Sequence, residues 1–360
     1  SEGHPYVIRI LLGEVAKARK LVKIERIIAN RDDLLKALFE RTYSNLTPVA
    51  RRVFLTLSNW RSLVPQIALE SVILRPENER MDVINAIEEL RQSSLIEILP
   101  SDEDSEIFIN VPLVAMVFGK SKLTVDPMKN AIEADTEFLR GFGPIQPTDI
   151  KAGIKPRVEK IFKYVAHKVN IEGRNFIDYL PILEFVSSRY SPAWLLLSKL
   201  YEESISVENR LEKSRQAVLS FLENVVDNEE KKLAWKRHEI LCDRLGDNLG
   251  VIQSVIELTK LDNISFQEIS DSANKLNRMF AFTNFKLDTF DKEVLVKGLL
   301  DEMERRVKEG NATDYSRLAW LALNINDQEK AEKFTKIGLE LDPYNSYIIS
   351  LAERLDILYS

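Results

Sequence analysis

Gly119-Lys120-Ser121 carries the residue types with which a protein grips a triphosphate: a glycine for a tight loop, a lysine for the phosphates and a hydroxyl for Mg2+. The full pattern needs another glycine five residues earlier, and that position is Val114. It also needs a strand leading into a glycine-rich loop, whereas 112–118 has the pattern of a helix. Without that loop few backbone N–H groups converge on a phosphate, so Gly119 is expected to end the helix as its C-cap. The other reactive residues do not assemble either. His4, His167 and His238 lie far apart, and no pair has metal-ligand spacing. His238 follows Trp235 on a repeat helix and reads as structural, and Cys242, one turn further on, reads as a small buried group. No serine sits in a G-x-S-x-G elbow. The pairs Glu88-Glu89 and Glu202-Glu203 fall on predicted surface helices, where they serve solvation. No catalytic residue and no metal site is expected in this chain.

What the residues do specify is elements for recognition. The clearest is a helical pair over 315–343. Leu318, Ala319, Ala322, Ala331, Gly338 and Pro343 fall where a tetratricopeptide unit places a leucine, small residues and a closing proline. Small residues let two antiparallel helices approach, and the proline ends the second because it lacks an N–H. Such units stack into scaffolds that bind along a surface. From 157 onward only helices are expected, ten or eleven of them. Trp194, Leu197, Ser198 and Tyr201 match a first helix, and Ala217 with Phe221 its second if the loop between them is lengthened. Trp235 with Gly246-Asp247 at an inter-helix turn gives another partial match. The aromatic stretch 280–290, with Phe280, Phe282, Phe285 and Phe290, reads as irregular. Large aromatics at repeat positions, Tyr201 and Trp235 among them, are expected in the core.

Residues 43–124 have a different pattern. Asn45-Leu46-Thr47-Pro48 starts a helix, with a capping residue before a proline. A short strand is expected at 61–64, a helix over 65–73, and a third helix over 80–93 with Val83, Ile84, Ile87 and Leu90 on one side. Leu95 to Leu99 and Glu106 to Ile109 then flank a polar turn, which is a hairpin signal. Three helices followed by a hairpin is the winged-helix order. The third helix carries Glu79, Arg80, Asp82, Glu88, Glu89 and Arg91, and the wing tip reads Asp102-Glu103-Asp104-Ser105-Glu106. DNA affinity comes largely from Lys and Arg on phosphates. Four carboxylates on the wing oppose that, so nucleic acid is not an expected partner and a packing or hinge role is.

Two flanking segments complete the chain. Residues 5–29 have one apolar helical face (Val7, Ile10, Leu11, Val15, Ala18, Val22, Ile27), and a short helix over 32–41 carries Leu34, Leu35, Leu38 and Phe39. Lys17, Arg19, Lys20, Lys23, Arg26 and Arg31 make the first of these locally basic, most simply as a solvated face. Residues 125–156 hold a helix around 127–140 and then Gly141, Gly143, Pro144, Pro147, Gly153 and Pro156. Their apolar residues, Phe138, Leu139, Phe142, Ile145, Ile150 and Ile154, predict packing against a neighbour rather than a loose linker.

Composition narrows the class. The net charge of −6 lacks the basic excess of a dedicated nucleic-acid binder. No run approaches ~18 apolar residues, so no transmembrane helix is expected. No secretion signal is legible, and a single cysteine forms no internal disulfide, so a cytoplasmic setting is expected. The sequons at Asn45, Asn263 and Asn311 then have no consequence. The chain opens on Ser1 rather than Met and is expected to be a fragment or a processed product.

Gly3-His4-Pro5-Tyr6, opening an apolar helix, resembles the G-x-P motif of STAND-class (NB-ARC-like) signal-transduction NTPases. In that class a small helical domain bearing the motif follows the P-loop ATPase domain. A winged helix comes next, then a superhelix of repeats such as tetratricopeptides. This chain matches that order throughout. The resemblance implies that Pro5 packs near the adenine of a bound nucleotide, with Gly3 allowing close backbone approach. It also implies a winged helix that holds the closed state, repeats that sense a ligand, and ATPase domains that oligomerise. The chain departs from the class at two points. The P-loop and its acidic partner motif are absent, so this chain is not expected to act as an enzyme alone, and no cofactor is expected in it. ATP or ADP would belong to the full-length protein. Many winged helices of the class carry a Met-His-Asp motif whose His meets the nucleotide phosphate. Here the stretch is Ile109-Asn110-Val111-Pro112, and the resemblance carries no nucleotide sensing there.

The expected fold is mainly α. Residues 1–42 read as a helical remnant of an ATPase small domain, 43–124 as a winged helix, 125–156 as a junction and 157–360 as a tetratricopeptide-like right-handed superhelix. The expected function is the sensor and regulatory region of a STAND-type NTPase. A protein or peptide trigger would bind the repeats and shift the population about the 125–156 junction. Two alternatives stand beside it: a transcription regulator with a DNA-binding winged helix, and a tetratricopeptide adaptor with no switch.

Overall fold

The computed structural model describes Ile8, Arg9, Leu12 and residues 31–76, 78, 81–282 and 289–357. Two compact units divide the chain, Ser1–Val207 and Glu208–Ser360. That division falls within the segment read as repeats, between the two helices expected to pair around 194–221.

In the first unit α1 (Arg31–Ser44) precedes α2 (Pro48–Asn59), β1 (Val64–Pro65), α3 (Gln66–Ile73) and α4 (Val83–Gln92). Strands β2 (Glu97–Pro100) and β3 (Ile107–Asn110) and helix α5 (Leu113–Leu123) follow. The Thr47 hydroxyl accepts from the Ala50 N–H at 3.2 Å and Pro48 opens α2, as the capping pattern predicts. Asp82 caps α4 in the same way through Asn85 N–H. The sheet is antiparallel in the order β1-β3-β2, with Ile109 opposite both Val64 and Ile98. This is the element order read from the sequence: a helix, a short strand, two helices and a hairpin. Val53, Phe54, Leu57, Val72 and Ile87 are buried among these helices.

Two expectations need correction. Gly119 is no C-cap, because α5 continues to Leu123. It lies buried where α5 crosses α2, and a Cβ there would overlap the Ser58 side chain and press on Phe54. The glycine sets the helix spacing. Ile84 is 58% exposed, and Ala86 takes the core position beside Val83, Ile87 and Leu90. Val83, Ala86, Ile87 and Leu90 follow the i, i+3, i+4, i+7 spacing of one helix face, and Ile84 lies off it. Residues Glu79 and Arg80 lie outside the described residues, as does most of the basic helix over 5–29.

Helix α6 (Lys129–Arg140) packs on α2 and α3. It carries Asp135 into the contact with no exposed surface. One Asp135 oxygen accepts from the Arg52 guanidinium of α2, whose side chain is 2% exposed. The other accepts from Arg75 Nη2 at 2.7 Å, just past the end of α3. Arg75 also donates to the Val72 carbonyl at 3.0 Å and lies 4.2 Å from the Phe138 ring centroid. Asn78 Nδ2 donates to the Ile73 carbonyl at 3.0 Å and approaches the same carboxylate at 3.4 Å.

The segment after α6 is strapped down, as its apolar content predicts. Leu63, Phe108, Ile145 and Ile150 form one small core with Leu99 against it. Ser62 Oγ donates to the Ile145 carbonyl at 3.0 Å, and Phe142 and Ile154 are buried. Helices α7 (Lys155–Asn170), α8 (Leu180–Arg189) and α9 (Ala193–Glu203) complete the unit, with α8 against α3. Leu197, Ser198 and Tyr201 are buried on α9, as expected.

The second unit is helical: α10 (Arg210–Leu222), α11 (Asn228–Leu245), α12 (Asn248–Thr259), α13 (Phe266–Phe282), α14 (Thr289–Arg306), α15 (Ala312–Asn324), α16 (Gln328–Leu341) and α17 (Ser346–Arg354). From Lys155 onward the described residues thus hold eleven α-helices, matching the expected number. Consecutive helices from α10 to α13 and from α13 to α17 pack as neighbours, and α13 meets α15 as α15 meets α17. This is the tetratricopeptide-like pattern of helical pairs. Gly246, at φ +71, turns the chain from α11 into α12, and Asp247 caps the latter through Gly250 N–H at 2.9 Å. Leu318, Ala319, Ala322 and Ala331 have no exposed surface, and a Cβ on Gly338 would overlap Ile348. The small residues of the 315–343 pair sit where the helices close on one another. Phe285 lies outside the described residues.

Breaking a buried ion pair by removing one partner leaves an uncompensated charge in the core, at a cost of about 3–5 kcal/mol. Asp135→Ala is expected to destabilise the first unit by that amount in urea denaturation. Adding Arg52→Met should recover part of the loss. A single-variant loss below about 1 kcal/mol would show that the cluster does not hold α6.

Candidate functional site

Gly3 and Pro5, the residues marked by the G-x-P resemblance, lie outside the described residues. No group of three or more His, Cys, Asp or Glu among the described residues could hold a metal. His238 is buried, with Nδ1 2.7 Å from Ser254 Oγ, and its ring sits edge-on to Trp235. Burial and the nearby Arg215 guanidinium lower its pKa, so it favours the neutral imidazole. Cys242 is fully buried and its thiol is pushed up by desolvation, which makes it inert. Both residues fit the structural roles read from sequence. Lys120 and Ser121 sit on α5 with no glycine-rich loop beside them.

Several carboxylates of α4 and of the turn between β2 and β3 have partners in the structure. Arg91, the only basic residue of α4, holds Glu88 through two hydrogen bonds of 2.6 and 2.7 Å, which keep that carboxyl at about 2. Gln92 donates to Glu88 as well, at 2.8 Å. Of the four wing carboxylates only Asp102 and Glu103 are exposed. Asp104 Oδ2 accepts from the Ile154 N–H at 2.8 Å, at the start of α7. Gly153, at φ +63, leaves room for that carboxylate. Glu106 Oε1 accepts from the Ile67 N–H at 2.9 Å, at the start of α3. A helix N-terminus favours negative charge, so these two carboxylates tie the wing to two helices.

The second unit contains a groove of about 410 Å3 along its first-helix layer. Asn274, Asn277, Arg278 and Ala281 line it from α13, with spacing i, i+3, i+4, i+7. Thr313, Ser316, Arg317 and Trp320 repeat that stripe on α15. Ser346, Tyr347 and Ser350 continue it on α17. The wall is fixed by side chains. Asn277 donates to the Arg317 carbonyl at 2.8 Å and accepts from Asn324 Nδ2 at 2.9 Å. Arg317 donates to Ser270 Oγ at 2.8 Å and Asp271 Oδ1 at 3.0 Å. Arg354 stacks over the Trp320 ring at 4.8 Å. Tyr347 is 63% exposed at the rim. None of these groove residues was singled out from sequence. The repeated i, i+3, i+4, i+7 polar stripe on alternate helices was the available signal, and reading it requires knowing which helices share a layer.

No protein-family model matches the chain, and no curated protein is similar to it. Among solved structures it is similar to a Signal Transduction ATPase with Numerous Domains (STAND) protein with a tetratricopeptide repeat sensor from Pyrococcus horikoshii. The two are 12% identical, the match covers 96% of this chain and 50% of that one, and the TM-score is 0.28. The chain thus spans about half the length of that protein. No helix among the described residues is long and apolar enough to cross a membrane.

Burial, with Asp104 and Glu70 nearby, raises the Glu106 carboxyl from 4.5 to about 7, against the pull of the Ile67 N–H. The folded protein therefore holds this proton where the unfolded chain has lost it. The stabilisation is complete below pH 4.5 and is lost as pH rises through about 7. Between pH 5 and 8 wild type is expected to lose on the order of 1–3 kcal/mol from this group relative to Glu106→Gln. Urea melts of both across that range check it, and parallel curves would refute it.

Proposed function

We propose that this chain is the sensor and regulatory region of a STAND-type signalling NTPase. The groove of the second unit engages a protein trigger, and the winged helix relays that event to an ATPase domain in the full-length protein. The observation that carries this reading is the groove itself: a channel of mixed polar and apolar lining built by the repeated stripe on α13, α15 and α17. The winged-helix order in the first unit supports the relay. Its wing and the 141–154 strap form one packed element, which is what a two-position latch requires. Nucleotide binding and hydrolysis belong to the full-length protein, and this chain supplies no catalytic group. The trigger must favour one arrangement of that latch over the other, since equal affinity for both shifts nothing.

The first test reads the coding sequence upstream of Ser1. A G-x-x-x-x-G-K-[ST] motif there is the expected result, and a start codon or an unrelated domain overturns the proposal. With the motif in hand, deleting residues 208–360 from the full-length protein is expected to change basal ATP hydrolysis by roughly 5- to 150-fold, the usual size of coupling between sites. An unchanged rate would remove the repeats from the regulatory role.

A further inference from the structure

The groove has a charge character that the rest of the chain lacks. Asp and Glu outnumber Lys and Arg, 56 to 50, yet the groove lining contains two guanidiniums and no carboxylate. The two are not equivalent. Arg317 is answered by Asp271 at 3.0 Å and Asp314 at 3.8 Å. Arg278, at the matching position on α13, is exposed and has no ion-pair or hydrogen-bond partner among the described residues. Arg354 adds a third positive charge beside Trp320.

We propose that the groove takes an extended acidic segment of a partner protein, with Arg278 receiving one of its carboxylates. This rests on the reading of the second unit as the sensing unit. A guanidinium meets a carboxylate through two parallel N–H donors, a geometry that lysine lacks. Ser316, Ser350 and Asn274 supply donors and acceptors for an extended main chain between the charged contacts. Tyr347 at the rim is the residue type that anchors protein interfaces. Nucleic acid fits less well. A phosphate backbone is held by a row of unpaired cations, whereas Arg317 is already paired with Asp271 and Asp314, and the lysines of a second cavity beside α13, Lys236 and Lys275, are paired with Glu268 and Glu239.

The test is a selection from a random short-peptide display library on the immobilised full chain. Parallel selections use Ser350→Trp, which fills the groove from an exposed position, and Arg278→Gln. Thermal melts matching wild type qualify both variants. Peptides recovered on wild type and lost on Ser350→Trp are groove-dependent. These are expected to be rich in Asp and Glu. As synthetic peptides they should bind Arg278→Gln at least about tenfold more weakly. Exchanging their acids for amides should cause the same loss on wild type and little further loss on Arg278→Gln. Groove-dependent peptides that lack acidic residues, or that ignore Arg278, overturn this inference and leave the sensing role standing. Recovery of no groove-dependent peptide overturns both. Displacement of the selected peptides by a single-stranded DNA oligonucleotide at lower concentration overturns the choice of partner.

Discussion

The Asp135 carboxylate is the constraint on which the first unit depends. It is fully buried between two guanidiniums that come from different elements, Arg52 on α2 and Arg75 beyond α3. A charge in that position is tolerated only when it is fully paired. The geometry of α6 against α2 and α3 is therefore specified, because sliding α6 by one residue would strand three charged groups in an apolar core. Arg52 remains only partly satisfied, with Nε and Nη1 finding no acceptor. The cluster fixes position at some expense of stability.

The same logic of fixed position runs through the rest of the unit in weaker form. The wing is tied to α7 by Asp104 and to α3 by Glu106, and the strap after α6 lies over the sheet through Ile145 and Ile150. In the second unit close helix contacts through small residues work beside inter-helix ion pairs such as Lys275–Glu239 and Lys330–Glu304. Ala319, Ala322, Ala331 and Gly338 let helices meet closely, and that closeness places alternate helices side by side so that their polar stripes line one groove.

Much of the fold was legible because its signals are local. Thr47-Pro48 and Asp247 act through hydrogen bonds to residues three positions away, so their spacing is visible in the sequence. The small-residue pattern of 315–343 is likewise local to one helical pair. What the sequence hid is what depends on distant partners. Gly119 looks like a helix end until Ser58 is placed against it. Asp104 and Glu106 look like a repulsive tip until two helix N-termini meet them. Asp135 is an ordinary letter on an amphipathic helix, separated by more than fifty positions from each of its guanidiniums. The groove was hidden for the same reason, since Arg278, Trp320 and Tyr347 become neighbours only once α13, α15 and α17 share a layer.

Asn277 has a consequence for kinetics. Its amide is committed on both sides, donating to one α15 group and accepting from another, so that wall of the groove is rigid before any partner arrives. An occupant then docks against a finished surface and waits for no rearrangement of it. Association of an uncharged occupant should run at the ordinary rate for such encounters, ~10^5–10^7 M−1 s−1, and faster for an acidic one steered by the arginines. Correct and incorrect occupants would differ in dwell time, so the groove would discriminate by how long it holds a partner.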